Sequence, residues 1–438
     1  MPSIIVKEPA KVAMNVKDKK DSKVKETKEV KSEEVKEAKE THEVKHEVSQ
    51  HAEEASTATG DVAANTGSAA GGVSGWSIGL GALVLGGLAA AAGGGGGSSD
   101  SGDGSTITST SWSSESGWGE IDVLAALSSL TGEEYEDTAD DDDVSWGINR
   151  SDANDVNALG YAGDGVVIAI IDSGIDMDNT DFAPISADSW DFVEGDNTPD
   201  DDFVYHDEIN DIYYYGHGTV GASIIGALDN GEGLTGAAHD AELMILKVFD
   251  ADGNVNYDAT YGSDIIEAIY YAVDHDADII NMSLGGYTNE LDSFYRGALE
   301  YADDHGVLVV ISSGNCGDGA CDIYGEVISD EPLSPAVAAQ EIDGVLAVGA
   351  IDINGHIADW SNPSGSSTAY GYVVAAGVQV EGYDAHGNEV YEDGTSFSAP
   401  LVAAEAAILL STGLIADNAS TDEALVNLIT SSANAVLV

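Results

Sequence analysis

Gly165-Val166-Val167-Ile168-Ala169-Ile170-Ile171 is an unbroken run of small and apolar residues that ends in Asp172. A strand with one face in water alternates polar and apolar residues, whereas a strand covered on both faces reads as a continuous apolar run. This stretch therefore belongs in the middle of a sheet with helices on both sides. Working outward, residues 241–249, 278–283, 306–314, 345–351 and 372–376 read as further strands. Helices are predicted between and after them, at 217–228, 264–275, 291–305, 396–410 and 422–431. In 264–275, Ile265, Ile266, Ile269, Tyr270 and Val273 fall on one side. Strand and helix in alternation predict a three-layer α/β/α sandwich with a mainly parallel central sheet. In such sheets the site lies beyond the C-terminal ends of the strands.

Four chemistry-bearing residues fall at such positions. Asp172 ends the first run, in Ile170-Ile171-Asp172-Ser173-Gly174-Ile175-Asp176. His217 opens a predicted helix in Tyr215-Gly216-His217-Gly218-Thr219. Asn315 leaves a strand in Ser312-Ser313-Gly314-Asn315. Ser396 starts a helix in Asp393-Gly394-Thr395-Ser396-Phe397-Ser398-Ala399-Pro400. Alone, each has a plainer explanation: a turn, a cap or a loop. Together they supply one chemistry. A serine hydroxyl needs a neutral imidazole to take its proton. The imidazole needs a carboxylate to fix its tautomer. A tetrahedral oxyanion needs donors aimed at it, and a side-chain amide and a helix N-terminus both provide them.

The order Asp172, His217, Ser396 and the motifs around them resemble the subtilisin family of serine proteases. Asn281-Met282-Ser283-Leu284-Gly285-Gly286 resembles that family's substrate-binding segment, and 146–165 is similar to its mature N-terminus. The resemblance spans 144–438 and implies a subtilisin-like endopeptidase domain acting on polypeptides through an acyl-enzyme. It implies Ser396 as nucleophile, His217 as base, Asp172 as the residue orienting it, and Asn315 as oxyanion donor. Ser283, Leu284, Gly285, Ser313 and Gly314 are implied to bind substrate. The chemistry requires no cofactor, and the resemblance leaves room for a structural Ca2+. Val220 stands where many relatives have a second histidine, and Phe-Ser-Ala-Pro where Met-Ala-Ser-Pro is common. The alternative from another class is a non-catalytic surface module that keeps the fold without turnover.

Charge divides the chain. The net charge is −64, and twelve of the fifteen basic residues lie within 7–45. Beyond residue 50, 68 acidic residues face only Arg150, Lys247 and Arg296. A surface of that sign repels nucleic acid and anionic lipid, so neither is an expected partner, and it favours basic or neutral substrates over acidic ones. A solvated acidic surface and binding of many cations both fit the surplus.

Residues 1–70 are a Lys/Glu-rich leader with too little apolar content for a core, expected to be disordered. Within 71–97, residues 73–92 are uncharged, rich in Gly and Ala, and long enough to cross a bilayer. A membrane anchor or secretion element, an atypical signal and a flexible apolar linker each fit. An extracellular or cell-surface location follows, with membrane anchoring left open. Residues 98–143 read as an acidic linker or short pro-segment with a short amphipathic helix at 121–130. No usual globular inhibitory propeptide and no C-terminal domain are expected. The acidic residues between Asp172 and His217, among them Asp196, Asp200, Asp201, Asp202 and Asp207, fit either calcium ligands or solvated charge. Asp250-Ala251-Asp252-Gly253-Asn254 reads as a tight turn. Cys316 and Cys321 are the two cysteines; a local disulfide and free thiols both remain open.

Overall fold

Each apolar run identified above becomes a strand of one sheet. The structure, a computed structural model, describes residues 112–438 except 139–143, 208–211, 259–261, 287, 318–329, 370, 417 and 437–438. The leader at 1–70 and the apolar segment at 71–97 lie outside the described residues.

In chain order the described helices are α1 (Val123–Thr131), α2 (Trp146–Arg150), α3 (Ala153–Ala158), α4 (His217–Gly226), α5 (Asp264–Asp274), α6 (Ser293–Asp304), α7 (Thr395–Ser411) and α8 (Thr421–Ser432). The strands are β1 (Val167–Asp172), β2 (Trp190–Asp191), β3 (Val204–Asp207), β4 (Ile212–Tyr215), β5 (Glu242–Lys247), β6 (Tyr257–Asp258), β7 (Gly262–Ser263), β8 (Ile279–Met282), β9 (Leu308–Ser312), β10 (Val345–Ile351), β11 (Tyr372–Ala376), β12 (Val380–Tyr383) and β13 (Glu389–Glu392). Seven strands pair in the order β11-β10-β9-β8-β1-β5-β2, every pair parallel. The remaining strands form three antiparallel hairpins: β3-β4, β6-β7 and β12-β13.

The sheet is covered on both faces, as its apolar runs require. Ile168 and Ile170 of β1 join the core cluster that holds Val402, Ala403 and Ala406 of α7, while Ala169 and Ile171, on the opposite face, are equally buried. Helices α5 and α6 pack against one another and reach β1 and β9. The predicted apolar side of α5, from Ile265 to Val273, is buried throughout. Chain order reverses at β1: β5 lies on one side of it and β8 on the other. Because all seven strands run the same way, the exits of β1, β8 and β9 share one edge.

Of the acidic linker or short pro-segment expected at 98–143, the residues described, 112–138, are packed against the sheet and its helices. Ile121, Val123, Leu124, Ala126 and Leu127 belong to the core cluster. Helix α1 forms close to the expected span, with Asp122 accepting from the Ala125 N–H as its cap and Gly132 at φ 72° closing it. Just ahead of it, Trp118 donates to the Tyr372 carbonyl, and the Ile121 N–H donates to the Val374 carbonyl. These bonds cover β11, the sheet's outer strand, which would otherwise expose unpaired backbone. Arg150 forks onto both carboxylate oxygens of Glu120 and fastens the segment to α2. A linker would leave this apolar surface in water. No helix among the described residues is long and apolar enough to cross a membrane.

Candidate active site

The exit of β1 and the start of α4 meet at close range. A Cβ on Gly218 would lie 2.4 Å from the Gly174 carbonyl oxygen, so only glycine lets the helix start this near the strand. Gly216, just ahead, takes the left-handed φ of 70° and abuts Ala385. This approach places His217 Nδ1 2.8 Å from Asp172 Oδ1, with both side chains buried. The carboxylate holds the proton on Nδ1 and leaves Nε2 as the basic nitrogen. Nε2 is buried and has no hydrogen-bond partner among the described residues. Phe203 and Phe397 flank the ring. Burial pulls the His217 pKa down, but the charge and hydrogen bond of Asp172, with Asp201 and Glu392 further off, outweigh it and leave the imidazole above its usual value.

A second layer of hydrogen bonds fixes this pair. The Ser173 N–H donates to Asp172 Oδ1 at 2.7 Å, and Ser173 Oγ accepts from the Gly218 N–H at 2.8 Å. Asp201, buried, accepts at Oδ2 from Ser173 Oγ, from the Thr219 N–H and from Thr219 Oγ1. One carboxylate thus ties the residue after Asp172 to the first turn of α4. Lys247 Nζ, also buried, donates to the Ser173 carbonyl and to Asp202. Of the acidic residues expected to be solvated or to bind calcium, Asp201 is buried in this network, whereas Asp202 stays exposed while it accepts from Lys247. Asp196 and Asp200 accept from nearby backbone N–H groups.

Ser396 is the second residue of α7. Its Oγ donates to the Ser283 carbonyl at 3.3 Å, and Ser283 Oγ donates to the Ser396 carbonyl at 2.7 Å. The second bond is explained by Pro400. It sits four residues on and lacks the N–H that would otherwise satisfy the Ser396 carbonyl. Proline inside this helix is thus compensated by Ser283, which follows β8.

Asn315 follows β9. Its Oδ1 accepts from both the N–H and the Oγ1 of Thr395, at 3.0 and 2.8 Å. Thr395 Oγ1 also accepts from the Gly314 N–H. Asn315 Nδ2 lies 3.6 Å from where a Cβ on Gly394 would sit, so glycine there leaves room beside the amide nitrogen. The structure therefore brings Asp172, His217, Ser396, Asn315 and Ser283 to one edge. Leu284 is buried beside them, and Gly285 passes close to the Ser334 carbonyl. Gly314 takes φ 111° against Leu333. Ser313 has no exposed surface, and its hydroxyl donates to the Asn362 carbonyl.

A profile described as the Subtilase family matches residues 163–437. The chain belongs to the subtilase family. It is 34% identical over 271 residues to Subtilisin DY of Bacillus licheniformis, covering 61% of this chain and 85% of that protein. It is 32% identical to the Intracellular serine protease of Paenibacillus polymyxa, over 56% of this chain and 67% of that one. It is also 32% identical to Subtilisin E of Bacillus subtilis, over 61% of each. This subtilase is thus a serine-type endopeptidase, and its family acts on polypeptides.

Sequence reasoning named Asp201 only as one acid of an acidic loop, and it missed Thr395 and Glu392. Thr395 was adjacent to Ser396 in the motif. Glu392 carried no local signal, since its position is set by the β12-β13 hairpin. Asp137, Asp152 and Asp155 form the one group among the described residues whose carboxylates converge within 4.8 Å. Both oxygens of Asp155 already accept from Thr138, through its N–H and its hydroxyl. Cys316 is disulfide-bonded, and the only other cysteine in the sequence, Cys321, lies outside the described residues. The Asp250 turn is confirmed: its carboxylate accepts from the Asp252 and Asn254 N–H groups.

Proposed function

We propose that the chain hydrolyses peptide bonds through an acyl-enzyme on Ser396. His217 Nε2 takes the hydroxyl proton as Oγ attacks the scissile carbonyl, then gives it to the departing amine. Asp172 orients the ring and stabilises its charged form. The Asn315 amide and the Ser396 N–H stabilise the oxyanion. Ser283, Leu284 and Gly285 pair with the substrate as an added strand, with Gly314 across from them and Ser313 beneath.

The observation that carries this reading is the buried 2.8 Å contact between Asp172 and His217 Nδ1, beside an Nε2 without a partner among the described residues. The 3.3 Å bond from Ser396 Oγ to the Ser283 carbonyl is long for O–H···O, so little opposes its rotation toward His217. No cofactor enters the chemistry. A structural cation such as Ca2+ would be held at Asp137, Asp152 and Asp155, where it competes with Thr138 for Asp155. The disulfide at Cys316 and the acidic surface support an extracellular or cell-surface location; two free thiols in the exported protein would count against it.

Hydrolysis of an amide-linked chromogenic peptide by Asp172→Asn, His217→Ala and Ser396→Ala tests the triad. Each variant is expected to lose about 10⁴-fold or more in kcat while keeping its circular dichroism. Retention of activity by any of them contradicts the assignment.

A further inference from the structure

Beside His217 lies a cleft that the mechanism above does not use. Its walls are aromatic and apolar: Phe203, Tyr205, Tyr214, Val220 and Phe397. Glu392 also lines it, beside the imidazole. Glu392 closes β13, four residues before Ser396, and only 9% of it is exposed. Among the described residues no donor reaches its carboxylate. A carboxylate that is largely desolvated, open only to the cleft and without a donor, is costly, and the usual compensation is a cation. Burial pushes its pKa up to about 7; His217 opposes the rise, and Asp393 and Asp384 add to it. Those two neighbours repel an anion and attract a cation.

The walls fit the same ligand. Tyrosine and phenylalanine faces attract ammonium and guanidinium groups, and they pack the methylene stem that carries such a group. The neighbouring residues say where the ligand comes from. Phe397 directly follows Ser396, and His217 forms part of the lining, so an occupant sits next to the scissile bond. Ser283, Leu284, Gly285 and Asn315, which serve the acyl side, line none of the cleft. The cleft is therefore separate from the acyl-side residues, and its link to the reaction is His217, which hands its proton to the departing amine.

Resting on the protease reading, we infer that this cleft binds the side chain of the first residue after the scissile bond and selects Lys or Arg there, with Glu392 as counter-charge. The full chain is incubated at pH 8 with a proteome-derived peptide library, and the cut sites are read by mass spectrometry. Lys and Arg are expected to be enriched about tenfold over apolar residues of similar length directly after the cut, the effect of one desolvated charge pair. Glu392→Gln is expected to abolish that enrichment. Glu392→Lys is expected to turn it toward Asp and Glu, a gain that misfolding cannot mimic. Each ratio is taken within one variant, so changes in overall rate cancel. No enrichment in the wild type, enrichment at another position, or enrichment that survives in Glu392→Gln overturns the inference. A wild type that cuts nothing instead overturns the protease reading beneath it.

Discussion

Ser283 and Ser396 exchange two hydrogen bonds, each hydroxyl donating to the other's backbone carbonyl. The exchange exists because Pro400 leaves the Ser396 carbonyl without its helical partner. It joins the end of β8 to the start of α7 at the residue proposed to react. Ser283→Ala is expected to lower stability by about 1–3 kcal/mol, the cost of a buried unsatisfied carbonyl. Pro400→Ala restores an N–H to that carbonyl and should recover part of the loss in the double variant. Urea denaturation of the four-member cycle measures this; additive effects would contradict the coupling.

Thr395 fixes the direction in which Asn315 points. Thr395→Val keeps the shape and removes the hydroxyl that bonds both Asn315 and the Gly314 N–H. We expect kcat to fall by about tenfold with KM nearly unchanged. Asn315→Leu should cost more, about 10²–10³ in kcat, a figure that comes from subtilisin itself. Steady-state kinetics on one amide substrate separates the two; a change confined to KM would speak against an oxyanion role.

The proposed mechanism needs a neutral His217; burial pulls its pKa down, and Asp172, then Asp201 and Glu392, outweigh that and raise it. The acid limb of the kcat/KM profile should therefore have its midpoint above the ordinary imidazole value of about 6.5. Activity is lost as pH falls through that midpoint and His217 takes its proton. Glu392→Gln removes a negative charge from beside the ring and should move the limb to lower pH. A limb that stays put or moves upward in that variant contradicts the electrostatic link.

The strands and the four candidate site residues were legible in the sequence for a physical reason. Strands covered on both faces must be apolar throughout, so β1, β8, β9, β10 and β11 stood out as runs, and Asp172 and Asn315 marked where two of them stop. His217 stood between two glycines that close packing demands, and Ser396 followed Gly394 and Thr395 at the start of an apolar helix. Other features depend on partners far away in the chain. Asp201 looked like one more acid in an acidic loop until the fold placed it between Ser173 and Thr219. Glu392 became part of the site only through the β12-β13 hairpin. Residues 112–138 resembled a linker because serine, glycine and acids dominate there. The signal that was available was Trp118 and the apolar side of 121–130, which had to be covered by something.

That cover is testable. Leu127 is fully buried in the core cluster. Leu127→Ala is expected to destabilise the protein by about 2–5 kcal/mol, as for other buried leucines. A linker residue would show no change. Thermal denaturation of the full chain measures it, and an unaltered Tm would contradict the packing of α1 onto the domain.

The central claim is that Ser396 is an activated nucleophile. A fluorophosphonate probe applied to the folded full chain, followed by peptide mass spectrometry, tests it most directly. The account predicts one phosphonylated residue, Ser396, with labelling lost in Ser396→Ala and strongly slowed in His217→Ala. No labelling of well-folded wild type, or labelling at another serine that persists in Ser396→Ala, would contradict it.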